Sequence, residues 1–287
     1  MSETRPKHLL LERKYWPFFW TQFCGAFNDN LFKQSLVILV VFSNITVLGV
    51  DSSLFASLAT AIFILPYFLF SATGGQLADK YEKGRLVRWI KLAEICIMCI
   101  AAIGFLTGQY ALLLLVLFMM GAQSAFFGPV KYGILPQISD EDQLVSANAL
   151  VEMGTYIAIL TGTIVGGLVI NTKYSTVNGF YQAQALGESA QATDSPIGLW
   201  LVCGGIVCVA ILGRFVSGLI VPCPATDERV AVQWDPFRPT TKILKLAVSK
   251  RVLFLSIIAI SWFWSFGAVF LSVFPNYTEE ILGGNEQ

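Results

Sequence analysis

Apolar residues in this chain neither alternate nor recur with the period of a one-sided helix. They run in long blocks separated by short polar, glycine- or proline-containing segments. Seven blocks approach or exceed the ~20 apolar residues that carry a helix across a bilayer: Trp16–Phe42, Leu54–Thr73, Trp89–Thr107, Tyr110–Phe127, Val145–Ile170, Ile197–Val221 and Val252–Phe274. Spans of this length predict an all-α membrane protein, because a helix satisfies its own backbone in hydrocarbon. Two connections are longer than the rest. Asn171–Pro196 is polar, and Pro222–Arg251 carries four prolines and six basic residues. Within the second, Thr240–Arg251 is basic and partly apolar; it reads either as an amphipathic helix on the inner leaflet or as a plain basic loop. The layout predicts three parts: a six-helix half-bundle over 1–221, a basic linker over 222–251, and the first helix of an incomplete second half over 252–287. One span standing alone after a linker is what a fragment of a larger bundle would show.

Composition sharpens the class. Hydrophobic residues make up 55% of the 287, charged residues only 13%, and mean hydropathy is +0.65. A soluble domain carries roughly 25% charged residues, so a soluble enzyme is excluded. A formal net charge of zero gives no basic field for nucleic acid. His8 is the sole histidine, and the six cysteines lie in or at the ends of apolar blocks. Cys96 and Cys99 form a C-x-x-C pair within one span and read as packing residues, not as a metal or redox site. No catalytic residue, metal or cofactor is predicted, and the chain is read as a non-enzyme.

Lysine and arginine set the orientation. Sixteen of the nineteen fall on one side of the predicted spans: near the N-terminus, between spans two and three (Lys80, Lys83, Arg85, Arg88, Lys91), after span four (Lys131) and in the linker. Only Lys173 falls on the other, while Lys33 and Arg214 lie within spans. The N-terminus is therefore expected in the cytoplasm. This bias opposes a signalling receptor with an external N-terminus. The absence of lysine from Val252–Phe274 opposes a retinal protein.

Charge inside a span is costly and marks function by default. Asp29 lies at the middle of the first span, with Asn28 and Asn30 beside it. Lys33 is one turn on, Gln22 two turns back, and Gly25 gives close access to that face. The i, i+4 spacing, acid first, predicts an Asp29–Lys33 pair, serving either cargo or helix association. Glu94, Glu152 and Gln123 are further polar residues in spans three, five and four. Arg214, two turns from the end of span six, reads as an interfacial anchor. Gly162-x-x-x-Gly166 in span five predicts close helix packing.

The turn after span two reads Gly74-Gly75-Gln76-Leu77-Ala78-Asp79-Lys80-Tyr81-Glu82-Lys83-Gly84-Arg85. It resembles the signature loop of the major facilitator superfamily, with Gly75, Leu77, Asp79 and Lys80 in register. Glu82 stands where that pattern has glycine, and the Gly84–Arg85 pair comes two residues late. The spacing is expected to let Gly75 admit a neighbouring helix and Asp79 act as a latch, with Lys80 and Arg85 facing acidic partners or membrane lipids. Two further strings, Gln22–Lys33 and Phe126–Gln137 (with Lys131), followed by Leu144–Asn148 and Glu152–Thr155, resemble the bacterial lysophospholipid transporter family. That family includes the transporter-like domain of acyltransferase/acyl-carrier-protein synthetase fusions. The resemblance implies a major facilitator fold and inward movement of a lysophospholipid across the inner membrane by alternating access. It also implies a fused or separate acyltransferase/synthetase as partner, and Asp29 as a residue that matters for transport. A membrane domain of such a fusion, or a transporter of another small molecule, are the alternatives. Asp29, Lys33, Asn28, Asn30, Gln22 and Glu152 are the candidate cargo residues. Gly75, Asp79, Lys80, Arg85 and Lys131 are the candidate gating residues.

Overall fold

The computed structural model describes residues 9–42, 45–171, 197–233, 235 and 237–280. The polar connection expected over Asn171–Pro196 and the N-terminal Arg5, Lys7 and His8 lie almost wholly outside them. A short 3-10 turn, Leu9–Leu11, precedes α1 (Trp16–Phe42), α2 (Ser52–Lys80), α3 (Lys83–Leu106), α4 (Tyr110–Ile138), α5 (Leu144–Asn171) and α6 (Ile197–Ser217). These belong to one compact unit, Met1–Trp234. The second unit, Asp235–Gln287, holds α7 (Phe237–Ser249) and α8 (Arg251–Glu280). Of the two readings left open for Thr240–Arg251, a helix is present there as α7. Its basic residues Arg238, Lys242 and Lys245 share one face, and Phe237, Leu244, Ala247 and Val248 share another.

Among the described residues, five helices are long and apolar enough to cross a membrane: Leu54–Lys80, Lys83–Leu106, Tyr110–Ile138, Leu144–Ile170 and Ile197–Ser217. Two of the seven expected spans differ. Helix α1 has the length, 27 residues, but the run from Asn28 to Gln34 makes its middle too polar. Within the described residues α8 contributes a shorter apolar stretch, Arg251–Gly267. The first unit solves the α1 problem by packing. Helix α1 lies along α5 and α6 and touches α2, so neighbouring helices shield its polar residues. Helix α2 packs on α4, and α3 on α4 and α6.

Helix ends also differ from expectation. Helix α3 begins at Lys83, and α4 runs through Pro129 and Pro136 to Ile138. Prolines are tolerated in spanning helices because neighbours satisfy the freed carbonyls. Lys83, Lys91 and Lys131 thus belong to helices, not to connecting loops, and Lys83 and Lys91 are each only 1% exposed.

Two apolar clusters hold the first unit together. One joins Tyr15, just before α1, and Phe18 and Phe19 of α1 to Val87 and Ile90 of α3, Val130 and Ile134 of α4, and Ala147 and Val151 of α5. The other joins Leu31–Val40 positions of α1 to Ile97–Phe105 positions of α3, Leu113–Met120 positions of α4 and Leu199–Ala210 positions of α6. Each of α1, α3 and α4 passes from one cluster to the other through a short polar stretch.

Glycines set how closely the helices approach. A Cβ at Gly162 would stand 2.5 Å from the Phe27 carbonyl oxygen, and one at Gly166 would stand 2.7 Å from that of Leu31, so α5 sits backbone to backbone on α1. A Cβ at Gly75, expected to admit a neighbour, would meet nothing within 4 Å; one at its neighbour Gly74 would stand 3.1 Å from the Ala125 carbonyl oxygen of α4. The helix rotation, not the motif register, decides which of the two glycines meets α4.

Candidate functional site

The polar stretches of the three helices meet between the two apolar clusters. From α1 come Gln22, Asn28 and Asp29; from α3 come Lys91 and Glu94; from α4 come Gln123 and Ser124. Apart from Ser124, which is half-buried, all are buried. Lys91 Nζ donates to Glu94 Oε2 at 2.6 Å, an i, i+3 ion pair sealed from solvent, and lies 5.3 Å from the centroid of the Phe127 ring. Glu94 also accepts from Asn28 Nδ2 at 3.2 Å and Gln123 Nε2 at 3.3 Å. Ser124 Oγ donates to Asp29 Oδ2 at 2.7 Å and lies 3.1 Å from Gln123 Oε1. The result is a continuous belt, Lys91–Glu94–Gln123–Ser124–Asp29, with Asn28 as a second link from α1 to Glu94. Two acceptors in it, Asn28 Oδ1 and Asp29 Oδ1, are buried and have no hydrogen-bond partner. Buried oxygens of this kind are costly unless something donates to them.

Gly25 makes room for this arrangement, since a Cβ there would overlap Lys91 Nζ. The glycine was expected to give close access to the polar face of α1. What approaches it is the lysine of α3.

The expected Asp29–Lys33 pair does not form within 4.0 Å. Lys33 is half-buried, with Nζ 5.6 Å from the Phe63 ring centroid of α2. Asp29 is instead held by α4 and Lys33 leans toward α2, so the i, i+4 spacing is outcompeted by tertiary partners. Asn30 turns back on its own helix, donating to the Ala26 carbonyl at 2.8 Å. Cys96 and Cys99, read as packing residues, lie on an exposed face of α3. Among the described residues no group of three His, Cys, Asp or Glu side chains could hold a metal.

A second cluster joins α4 to α5. Lys131 Nζ lies 3.6 Å from Glu152 Oε1 and 3.4 Å from Thr155 Oγ1, and the Tyr132 hydroxyl donates to the same Glu152 oxygen. Thr155 in turn lies 2.9 Å from Gln22 Oε1, tying this pair to α1. Gln22 also donates to the Val151 carbonyl at 3.4 Å. Glu152 and Lys131 therefore come together although one was expected at the cargo and the other at the gate. Their pair is half-exposed, beside exposed Tyr132, Met153 and Tyr156.

The signature turn stands apart from both clusters. Asp79 is exposed, and its backbone carbonyl accepts from Thr226 N at 2.8 Å and Asp227 N at 3.0 Å. Lys80 Nζ sits 5.9 Å from the Tyr81 ring centroid, and Arg85 is exposed in the first turn of α3. A cleft of about 150 Å³ is lined by Leu77, Leu86, Ile90, Ala93, Gln123 and Phe126.

Lys91, Ser124, Tyr132 and Thr155 were not among the expected site residues. For Lys91 a signal existed: an i, i+3 spacing to Glu94, hidden because the lysine was counted with the basic turn. Ser124 carried none, being a small hydroxyl in an otherwise apolar helix.

Comparison with known proteins follows the same lines. The chain is 33% identical over 171 residues to the lysophospholipid transporter LplT of Pectobacterium carotovorum subsp. carotovorum, a match covering 58% of this chain and 38% of that protein. It is 40% identical over 111 residues to the lysophospholipid transporter LplT of Photorhabdus laumondii subsp. laumondii, covering 38% and 26%. It is 30% identical over 160 residues to that of Salmonella heidelberg, covering 50% and 38%. The matched stretch thus spans well under half the length of each relative. No solved structure matches the chain. The sequence model of the Major Facilitator Superfamily matches residues 18–285, nearly the whole chain. With an all-helical fold over the described residues, five helices there long and apolar enough to cross a membrane, and the signature turn between α2 and α3, the chain is a multi-pass membrane protein that belongs to the Major Facilitator Superfamily.

Proposed function

We propose that this protein moves lysophospholipids inward across the bacterial inner membrane by alternating access, with its N-terminus in the cytoplasm. It performs no covalent chemistry. The observation that carries the proposal is the buried belt of charge between two apolar layers, centred on Asp29 and the Lys91–Glu94 pair. A membrane protein maintains such a belt against a desolvation cost of several kcal/mol per ion, and midplane charge is where facilitator-type transporters bind. A lysophospholipid needs a site for a charged head and an apolar path for its chain. The belt offers carboxylates and an ammonium, and the apolar layers flank it. The names of the relatives support the cargo class.

In this reading Asp29, Asn28 and Gln22 act on the cargo head. Lys91 and Glu94 hold them in place, and Glu152 with Lys131 forms an outer ion pair on the approach. Lys33, one turn along α1 from Asp29, joins them when the cargo is bound. Gly75, Asp79, Lys80 and Arg85 act on the access equilibrium from the signature turn. The 1–221 half-bundle, the 222–251 linker and the helix from 252 serve as the parts that rock. Membrane lipids supply the surroundings, and an acyltransferase/acyl-carrier-protein synthetase, fused or separate, consumes the delivered lysolipid.

The test is uptake of labelled lysophosphatidylethanolamine by spheroplasts expressing the protein. Competition by unlabelled lysophospholipid, with none by water-soluble phosphate esters, is expected. Uptake equal to that of cells lacking the protein contradicts the proposal, and competition by soluble solutes alone assigns a different cargo.

A further inference from the structure

The α2–α3 turn departs from the superfamily pattern by two residues, Glu82 and Lys83, placed before the Gly84–Arg85 pair. Both are engaged by one stretch of chain, the segment that follows α6. Glu82 Oε1 accepts from the backbone N–H of Cys223 at 2.8 Å while its carboxylate caps α3 through Gly84 N (2.8 Å) and Arg85 N (2.7 Å). Lys83, a single per cent exposed, donates from its backbone to the Cys223 carbonyl at 2.8 Å. Its Nζ donates to the Pro224 carbonyl at 3.0 Å and lies 2.9 Å from Thr226 Oγ1. A lysine at the start of a membrane helix ordinarily extends to water; this one is turned inward and spent on two chain carbonyl and hydroxyl oxygens.

The same stretch is stitched to two other helix ends. Thr226 and Asp227 donate to the Asp79 carbonyl, Gln137 at the end of α4 donates to the Pro224 carbonyl at 3.2 Å, and Gln233 N donates to Gln76 Oε1 at 2.6 Å. Residues 221–233 therefore cross the neighbouring ends of α2, α3 and α4. Phe237, the first residue of α7, follows after only three residues.

We infer that Glu82 and Lys83 are positioning residues that seat 221–233 as a strap across the ends of α2, α3 and α4, and that the strap lifts when those ends change spacing during transport. The first half stands on geometry alone; the second rests on the transport reading above. The physical case for lifting is that the strap ties three separate helices. A shift of α2 against α3 by even part of a turn takes the Asp79 and Gln76 anchors away from the Glu82 and Lys83 anchors. Each of these hydrogen bonds is modest beside the apolar packing that holds the helices, so the strap yields before the helices do.

Cys223 reports the state of the strap, because it is buried at 1% exposure between these anchors. The experiment compares two single-cysteine variants, one retaining Cys223 and one retaining buried Cys24, by the rate of maleimide labelling in proteoliposomes. In the Cys223 variant, Lys83→Met and Glu82→Gln are expected to raise the rate at least tenfold. The Cys24 rate should stay unchanged under the same substitutions. Unchanged Cys223 rates overturn the clamp. Acceleration of both cysteines also overturns it, since the two residues then hold the bundle and not the strap. Adding lysophosphatidylethanolamine to the otherwise unsubstituted Cys223 variant should alter its labelling rate at least twofold. No change while uptake proceeds refutes the lifting of the strap alone. No uptake refutes the transport reading and leaves the clamp result standing.

Discussion

Lys91 and Glu94 are withdrawn from water together, so each is tolerable only because of the other. Lys91→Met leaves the Glu94 carboxylate with two neutral donors, Asn28 and Gln123, and no counter-charge. Breaking one side of a buried pair costs about 3–5 kcal/mol, which should appear as a markedly lower unfolding midpoint in detergent. The double variant Lys91→Met/Glu94→Gln should recover most of that loss; a double variant no more stable than the single would mean that the pair is not the source. Outside the spans, burial and the nearby Glu82 carboxylate push the Cys223 thiol from its ordinary 9.0 up to about 11. A thiol raised in the folded state favours folding while it stays protonated, so its contribution is full below pH 9 and is lost as pH rises toward 11. Strap seating, followed by hydrogen exchange of the backbone around Cys223, should weaken over that window and not between pH 6 and 8. At this scale the sequence was partly legible. Asp29 stood out because nothing else in the first span is acidic. Lys91 did not, because it stands only two residues into the apolar block Trp89–Thr107 and was counted with the basic turn, while α3 begins two turns earlier at Lys83.

Helix contacts make sharper demands than hydropathy. The Gly162 position abuts the Phe27 carbonyl oxygen, and a Cβ at Gly121 would overlap the Phe63 carbonyl oxygen. Backbone cannot yield as a side chain does, so Gly162→Ala and Gly121→Ala should each cost about 1–3 kcal/mol by overpacking. Gly75→Ala, with nothing within 4 Å, should unfold at the wild-type temperature. Equal losses at all three positions would contradict the packing described for α1 on α5 and α2 on α4. The elements themselves were legible where apolar blocks are long, since a membrane span announces itself by composition. Their ends were less so. Gly128 and Pro129 look like a stop for α4, yet the helix continues to Ile138 because its neighbours shield the interrupted turn. The Gly162–Gly166 spacing correctly marked close packing, while the partner, α1, was not readable from one helix alone.

Over the first unit, two apolar layers sandwich one polar belt, and α1, α3 and α4 each carry their polar residues at the matching height. That registration follows from the sequence only once the helices are aligned, which is why Gln123 and Ser124 looked incidental and Lys33 looked like the partner of Asp29. The family was legible from the Gly–Asp spacing of the turn and from the string around Asp29. The strap was not, because its anchors Glu82 and Lys83 read as imperfections in a motif. The most direct measurement of the central claim is lysophosphatidylethanolamine uptake by Asp29→Asn. The amide keeps the size of the side chain and can still receive the Ser124 hydroxyl, but it removes the charge. At wild-type levels of protein in the membrane, uptake should fall at least tenfold. Uptake at the wild-type rate would show that the belt serves the fold and not the cargo.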